Sequence, residues 1–277
     1  MIAESDAPAL AGLLTRGFPD RTHDYWRRAL ATLARRDAPE GYPRFGYMLE
    51  HDGAPVGVLL MIFTRFGDKQ IRCNISSWYV DEPYRGYASL LIAAAVRHKD
   101  VTYVNISPAT HTWQVIEAQG FRRYCDGQML AIPALSSWTA NARARAFDKK
   151  RDYGDALTPQ ERDLLIAHVE RGCLAYIVHE KREAHPFVFL PRRLIKGLFP
   201  TLQLVYCRDI VDFQRFAGPL GRELLSQGHP TVLVDASESL PGLFGMFFKD
   251  RGPKYFKGPE RPRLGDLSFS EGVLFGP

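Results

Sequence analysis

Cysteine is scarce in this 277-residue chain: four thiols, Cys73, Cys125, Cys173 and Cys207, are scattered without any C-x-x-C spacing. That excludes a disulfide scaffold and gives no sign of a zinc site or a redox pair, so no metal is expected and the thiols read as reduced, in a cytoplasmic protein. Long apolar runs are also missing. The longest, Val56–Phe63 and Leu90–Val96, fall well short of the roughly 20 residues that a membrane span needs. The opening MIAESD has neither the basic start nor the apolar stretch of a signal peptide, so no membrane partner is expected. An excess of one charge is lacking too: 36 Lys and Arg stand against 31 Asp and Glu, a net +5. Residues 1–140 hold 15 against 14 (+1) and residues 141–277 hold 21 against 17 (+4), so an anionic partner would meet the C-terminal half. The excess is too small for nucleic acid to be the default partner.

What is present is an ordinary globular composition, 45% apolar and 12% aromatic, long enough for one large domain or two ordinary ones. Leu10, Leu13 and Leu14 follow the polar starters Ser5 and Asp6 at helical spacing, and Tyr25, Trp26, Leu30 and Leu33 mark a second amphipathic helix. Phe45–Glu50 and Val56–Arg65 flank the turn His51-Asp52-Gly53, a hairpin signal, and Arg72–Val80 reads as a third strand. A helix over Ser89–His98, a strand over Val101–Ile106, a helix over Thr112–Gln119 and a strand over Phe121–Ile132 complete an order ααβββαβαβ.

Residues 139–157 lose apolar periodicity and carry five Lys and Arg, which predicts a linker between a domain over 1–138 and one over 158–277. Thr158-Pro159-Gln160-Glu161 has capping-box spacing with proline at the first helical position, so a helix starts there. Strands over Leu174–His179, Pro186–Leu190 and Leu202–Cys207, a helix over Phe216–Ser226 and a strand over Thr231–Val234 then repeat the plan of the first half, which points to an internal duplication.

The most informative stretch is Pro83–Leu90, where a strand runs through a polar turn into a helix. The first N–H groups of a helix have no internal partner and sit at the positive end of its dipole, which suits a diphosphate. Gly86 and Ala88 are small enough for close approach to the main chain, and Arg85 supplies a cation. On the residues alone, an ordinary turn between strand and helix explains the stretch equally well.

With the surrounding order of elements, the chain resembles the Gcn5-related N-acetyltransferase (GNAT) superfamily, whose acyl-CoA loop reads R/Q-x-x-G-x-G/A after a strand ending V-x-P-x-x. The matching text is Val80-Asp81-Glu82-Pro83-Tyr84-Arg85-Gly86-Tyr87-Ala88-Ser89-Leu90, with Asn105-Ile106-Ser107 and Gln119-Gly120-Phe121 where that family has its splayed strand and the Gly-Phe closing its fourth helix. The resemblance is strong to about residue 135 and one of layout over about 158–257. It implies an α/β fold of two tandem GNAT-like units, with mixed, mostly antiparallel sheets and helices on both faces. It also implies acetyl-CoA or another acyl-CoA as donor, and a small-molecule or peptide amine as acceptor. Arg85, Gly86, Tyr87, Ala88, Ser89 and Leu90 would hold the pyrophosphate, Val80 would pair with the pantetheine arm through its backbone, and Asn105 would contact the arm from the other side.

Departures from the family pattern fall at Ala88, where glycine is usual, at Leu90, where glycine or alanine is usual, and at the proline, displaced by one position. The tyrosine that often serves as general acid four residues before the closing glycine is replaced by Ile116. Substitutes for acid and base work are Ser107, His111 and Tyr124, with Asp81 and Glu82 at the loop edge. Placement of two reactants alone can supply about 7–11 kcal/mol, so direct attack by a well-held amine survives the loss of an acid. The corresponding loop of the second half, Asp209–Gly218, carries acidic and bulky groups where phosphates would sit and is expected to have lost the donor. Two other readings stay open. One is a CoA-binding or sensing protein without turnover. The other is a nucleic-acid-associated protein using basic and aromatic residues such as those of Phe247–Gly258, a stretch that a ribbon with its lysines on the wet face explains better.

Overall fold

The computed structural model describes every residue except 68–69, 137–140, 182, 195–198 and 277. The chain divides into two compact units, Met1–Arg122 with Tyr255–Arg261, and Arg123–Lys254 with Pro262–Pro277. In the first unit, α1 (Ala7–Gly17) and α2 (His23–Arg35) bury the leucines and the tryptophan whose spacing predicts them, and Thr22 caps α2 by accepting the Tyr25 N–H at 3.1 Å. β1 (Gly46–His51) and β2 (Ala54–Phe66) pair antiparallel across a two-residue turn. Asp52 (φ 49°) and Gly53 (φ 75°) are both left-handed there, the geometry that an Asp-Gly pair accepts at least cost. β3 (Gln70–Val80) pairs antiparallel with β2. The chain then crosses through α3 (Ala88–Ala95) to β4 (Val101–Asn105), parallel to β3, and on to α4 (Trp113–Ala118). The element order matches the expected one. One face of this sheet packs Leu59, Met61, Phe63 and Ile75 against Leu91 and Ile92 of α3.

The last piece of this unit comes from far along the chain. Tyr255–Lys257 pairs antiparallel with β4, Tyr255 opposite Asn105 and Lys257 opposite Tyr103. The Tyr255 ring is fully buried in the core, its hydroxyl donates to Glu117 Oε1 at 3.0 Å, and Lys257 Nζ donates to the Gln119 carbonyl at 2.7 Å.

The second unit holds β5 (Arg122–Ala131, from Arg123 on), β6 (Ala142–Ala146), α5 (Pro159–Val169), β7 (Leu174–Glu180), β8 (Glu183–Leu194), β9 (Phe199–Cys207), α6 (Ile210–Ser226), β10 (Val232–Ala236), β11 (Gly245–Lys257, to Lys254) and α7 (Glu271–Phe275). Its sheet runs β5, β10, β9, β8, β7, β6, with β9 and β10 the one parallel pair among the described strands. The expected capping box at Thr158 and Glu161 is formed.

Two expectations change. Residues 142–146 lie inside the stretch read as a linker but form β6: Ala142 and Ala144 pack on the core while Arg143 and Arg145 are exposed, a period of two too short to stand out against the charge run. The expected boundary between 138 and 139 lies outside the described residues. Lys254 is not on a wet face. It is 2% exposed, with Nζ 2.7 Å from Oδ1 of Asp235, itself 3% exposed, and Gln128 donates to the same carboxylate oxygen at 3.1 Å. Two opposite charges removed from water together are tolerated because further hydrogen bonds complete the pair.

Near the C-terminus, fully buried His168 accepts the Phe269 N–H on Nε2 at 3.2 Å, which assigns its proton to Nδ1, 2.7 Å from the Leu164 carbonyl. Burial lowers its pKa from 6.5 to about 4.

Two outcomes are expected. Tyr255→Ala removes a buried ring and its hydroxyl bond and should cost about 3–5 kcal/mol in urea unfolding monitored within the first unit. For His168, the unfolded chain binds the proton between pH 6.5 and about 4 while the folded one does not. The stability of the second unit should therefore be complete above pH 6.5 and fall by about 3 kcal/mol as pH drops to 4, and His168→Gln should flatten that decline.

Candidate functional site

The first unit contains an opening in its own sheet. β3 and β4 pair in parallel from Ile71–Val101 to Asn74–Val104, and β3 then continues for Ile75–Val80 with no strand paired to that edge among the described residues. At the point of parting, the buried Asn74 side chain donates through Nδ2 to the carbonyls of Ile75 at 3.0 Å and Val104 at 3.4 Å. These bonds satisfy main-chain acceptors that the ladder no longer serves. Two residues of β3, Ser77 and Trp78, stand opposite Leu59 of β2, and Ser77 takes a left-handed φ of 52°. Such a bulge bends the strand and re-aims its end. Sequence reasoning missed both devices; the one signal was a polar Asn-x-Ser-Ser run within a strand.

Both parallel strands end on this opening. Val80, 6% exposed, closes β3, and Asn105, half-buried, closes β4. Glu82–Tyr87 coils as a 3-10 turn whose last bond runs from the Ala88 N–H to the Arg85 carbonyl, and α3 follows at once. No side chain caps α3 and no acidic residue lies in its first turn. Among the described residues no side chain therefore opposes the positive dipole end of α3. Asp81, which could have neutralised the loop, is engaged by Arg16 at 3.0 Å and by the Tyr79 hydroxyl at 3.0 Å. Burial and that carboxylate hold the Tyr79 phenol above its ordinary value. Arg85 is exposed and forms no ion pair among the described residues. A Cβ built on Gly86 meets nothing within 4 Å, and its φ lies outside the left-handed region, so the fold itself makes no demand for glycine there. Tyr87 and Leu90 are exposed, at 56% and 63%, while Ala88 is half-buried and Ser89 exposed. The six residues from Arg85 to Leu90 thus surround one uncapped helix start.

The remaining candidates are more scattered. Ser107 and His111 are exposed on the segment between β4 and α4 of the first unit. Tyr124 lies on β5 of the second unit and is 4% exposed. Ile116 is 1% exposed within the first unit's core, so its position faces packing and not solvent. Among the described residues no group of three or more His, Cys, Asp or Glu side chains is arranged to hold a metal ion.

The second unit treats the same features differently. Its third strand, β9, also carries a bulge and also leaves its parallel partner, after Leu202–Val232 and Gln203–Leu233. There, however, the chain fills the gap itself: the Leu267 N–H donates to the Val205 carbonyl at 2.8 Å, the Cys207 N–H to the Gly265 carbonyl at 2.9 Å, and Tyr206 bridges Asp266. Asp209 caps α6, its Oδ1 accepting the Val211 N–H at 2.9 Å. Arg208, the cation beside it, is bound by Glu161 at 2.6 and 2.8 Å. Of the acids expected to repel a phosphate, Asp209 caps the helix end.

Residues 7–121 match the Acetyltransferase (GNAT) family. This segment is a GNAT domain. No curated protein matches the chain. In fold, the chain is similar to a GCN5-related N-acetyltransferase from Anabaena variabilis (TM-score 0.57, 10% identity, covering 92% of this chain and 70% of that one). It is also similar to a protein from Pyrococcus horikoshii (0.55, 10%, 97% and 92%) and to the GCN5-related glucosamine N-acetyltransferase region of a fungal β-N-acetylglucosaminidase (0.55, 11%, 92% and 37%). The fold likeness extends beyond the GNAT domain through most of the chain. No helix among the described residues is long and apolar enough to cross a membrane.

If Asn74 supports the parting strands as its bonds indicate, Asn74→Leu should leave buried carbonyls without a donor and lower the stability of the first unit by about 1–3 kcal/mol in chemical denaturation, with Asn74→Asp no better.

Proposed function

We propose that the GNAT domain transfers an acyl group, most simply acetyl, from acyl-CoA to an amine, and that the second unit binds no donor. The observation that carries this reading is the contrast between two helix starts beside two parted strand pairs: α3 is uncapped beside an open edge, whereas α6 is capped by Asp209 beside an edge filled by Gly265–Leu267. An unmatched positive helix end next to exposed main-chain donors is the electrostatic complement of a diphosphate joined to an amide-bearing arm.

In this reading the N–H groups at the start of α3 and the Arg85 guanidinium hold the pyrophosphate, with Gly86 and Ala88 allowing close approach and Tyr87, Ser89 and Leu90 at its margin. The free edge of β3, ending at Val80, hydrogen-bonds the pantetheine amides, and Asn105 meets the arm from β4. Free main-chain N–H groups at the parted strands polarise the thioester carbonyl as negative charge develops on its oxygen. The amine then forms the new C–N bond, the C–S bond breaks, and the proton lost by nitrogen goes to the departing thiolate. Ser107, His111 and Tyr124 remain the candidates for that proton, now with distinct surroundings. Ser107 and His111 are open to solvent in the same unit as the donor site, and Tyr124 is buried in the other. A second reading, donor binding without turnover, is favoured by Ile116, which puts an apolar core residue where the family often has its acid.

Titration calorimetry with acetyl-CoA, a longer acyl-CoA and free CoA tests the donor site. Binding near one equivalent per chain is expected, lost in Arg85→Glu, weakened about tenfold or more in Gly86→Val without loss of thermal stability, and retained in Arg215→Glu of the second unit. Failure of all three ligands to bind, or loss of binding only in Arg215→Glu, overturns the reading. A panel of amines under saturating acetyl-CoA then separates the two forms of it: acetylated product supports transfer, and tight binding with no product from any amine supports the non-catalytic one.

A further inference from the structure

The five cations that make residues 139–157 look like a solvated linker are instead built onto a fixed surface of the second unit. Arg143 and Arg145 project from the same face of β6, as residues two apart on a strand must, and both are exposed. Arg143 lies directly opposite His179 of β7. Lys149, Lys150 and Arg151 follow in a turn that Arg162 of α5 holds from beneath, donating to the Arg151 carbonyl at 3.0 Å and the Lys149 carbonyl at 2.9 Å. The nearest acids in the sequence turn onto the main chain and form no ion pair with them among the described residues: Asp148 Oδ1 accepts the Lys150 N–H at 2.9 Å and Asp152 Oδ1 the Gly154 N–H at 2.8 Å. None of the five cations forms an ion pair among the described residues.

Two observations tie strand and turn into one positive site. The Tyr153 ring stacks between Phe147 (5.5 Å) and His179 (6.2 Å, 6° between planes), bringing the turn against β7. Burial, together with the Arg151 and Arg145 guanidiniums, holds the His179 imidazole below its ordinary value, and its Nε2 is buried without a hydrogen-bond partner.

The site also lies along an open edge. β6 pairs only with β7 among the described residues. Because the Phe147 N–H donates to the Ala175 carbonyl at 2.8 Å, strand alternation turns the main-chain groups of Ala142, Ala144 and Ala146 outward.

We propose that this edge docks an extended acidic peptide, which adds a strand beside β6 and presents carboxylates at alternate positions to Arg143 and Arg145, with Lys149, Lys150 and Arg151 continuing the contact. Strand addition draws affinity from the main chain and specificity from alternating side chains, and the charge pattern here supplies the second. A single-stranded nucleic acid fits less well, since the aromatic rings stack on one another and are half-buried, leaving no open platform for bases. The inference is independent of the acyl-donor reading.

The test is fluorescence anisotropy on the full chain with a dye-labelled peptide of alternating glutamate and valine, about ten residues long. Binding is expected, falling about tenfold or more in Arg143→Glu/Arg145→Glu and in Lys149→Glu/Lys150→Glu, weakening as salt is raised, and lost when alternate peptide nitrogens are methylated. The lysine pair lies off the strand, so it keeps the test valid if the arginine pair disturbs β6, and a thermal melt of each variant verifies folding. No binding of the peptide overturns the proposal, as does equal binding of the methylated form, indifference to both charge reversals, or preference for a thymidine oligonucleotide over the peptide.

Discussion

Parallel strands that hydrogen-bond for only a few residues and then part leave a row of main-chain donors and acceptors with no partner, and everything distinctive about the first unit follows from that separation. The bulge at Ser77 bends the end of β3, Asn74 bonds the main chain where the strands part, and the turn after Val80 leads into the uncapped start of α3. An opening of this kind is costly in an empty sheet, because unpaired backbone groups must be served by water or a ligand. Its persistence in the unit that carries the GNAT domain is therefore the strongest physical argument for a ligand there.

The second unit reaches the opposite solution with the same parts. It, too, has a bulged third strand that leaves its parallel neighbour, yet the returning chain at Gly265–Leu267 restores the missing ladder and Asp209 satisfies the helix. Arg208, tied to Glu161 and to the carbonyls of Ala184 and Ala156, becomes part of the packing. An edge paired from within and a helix end held by a carboxylate leave fewer main-chain groups for any other partner. The C-terminal stretch is anchored in the same unit through the Phe269 N–H, donated to a neutral His168.

Much of the first unit was legible in the text. Leucine spacing gave α1 and α2, the Asp-Gly pair gave the hairpin, and the loop before α3 stood out because a proline, a glycine and small residues separate a strand from a run of helix formers. What sequence could not convey were contacts between distant segments. Tyr255–Lys257 completes the sheet that begins at residue 46, Lys254 is buried against Asp235, and the charge run at 143–151 is a strand and a clamped turn. Local composition is silent on each, because a lysine looks the same whether its carboxylate partner lies in water or across a strand.

The sequence by itself determined the type and order of the elements and the chemical character of the loop before α3, since periodicity, turn residues and helix starts are set by neighbours a few positions apart. Only the tertiary structure decided which of two similar openings stays free. That choice depends on whether a segment some sixty residues downstream pairs with β9, and on whether a carboxylate turns back onto a helix end.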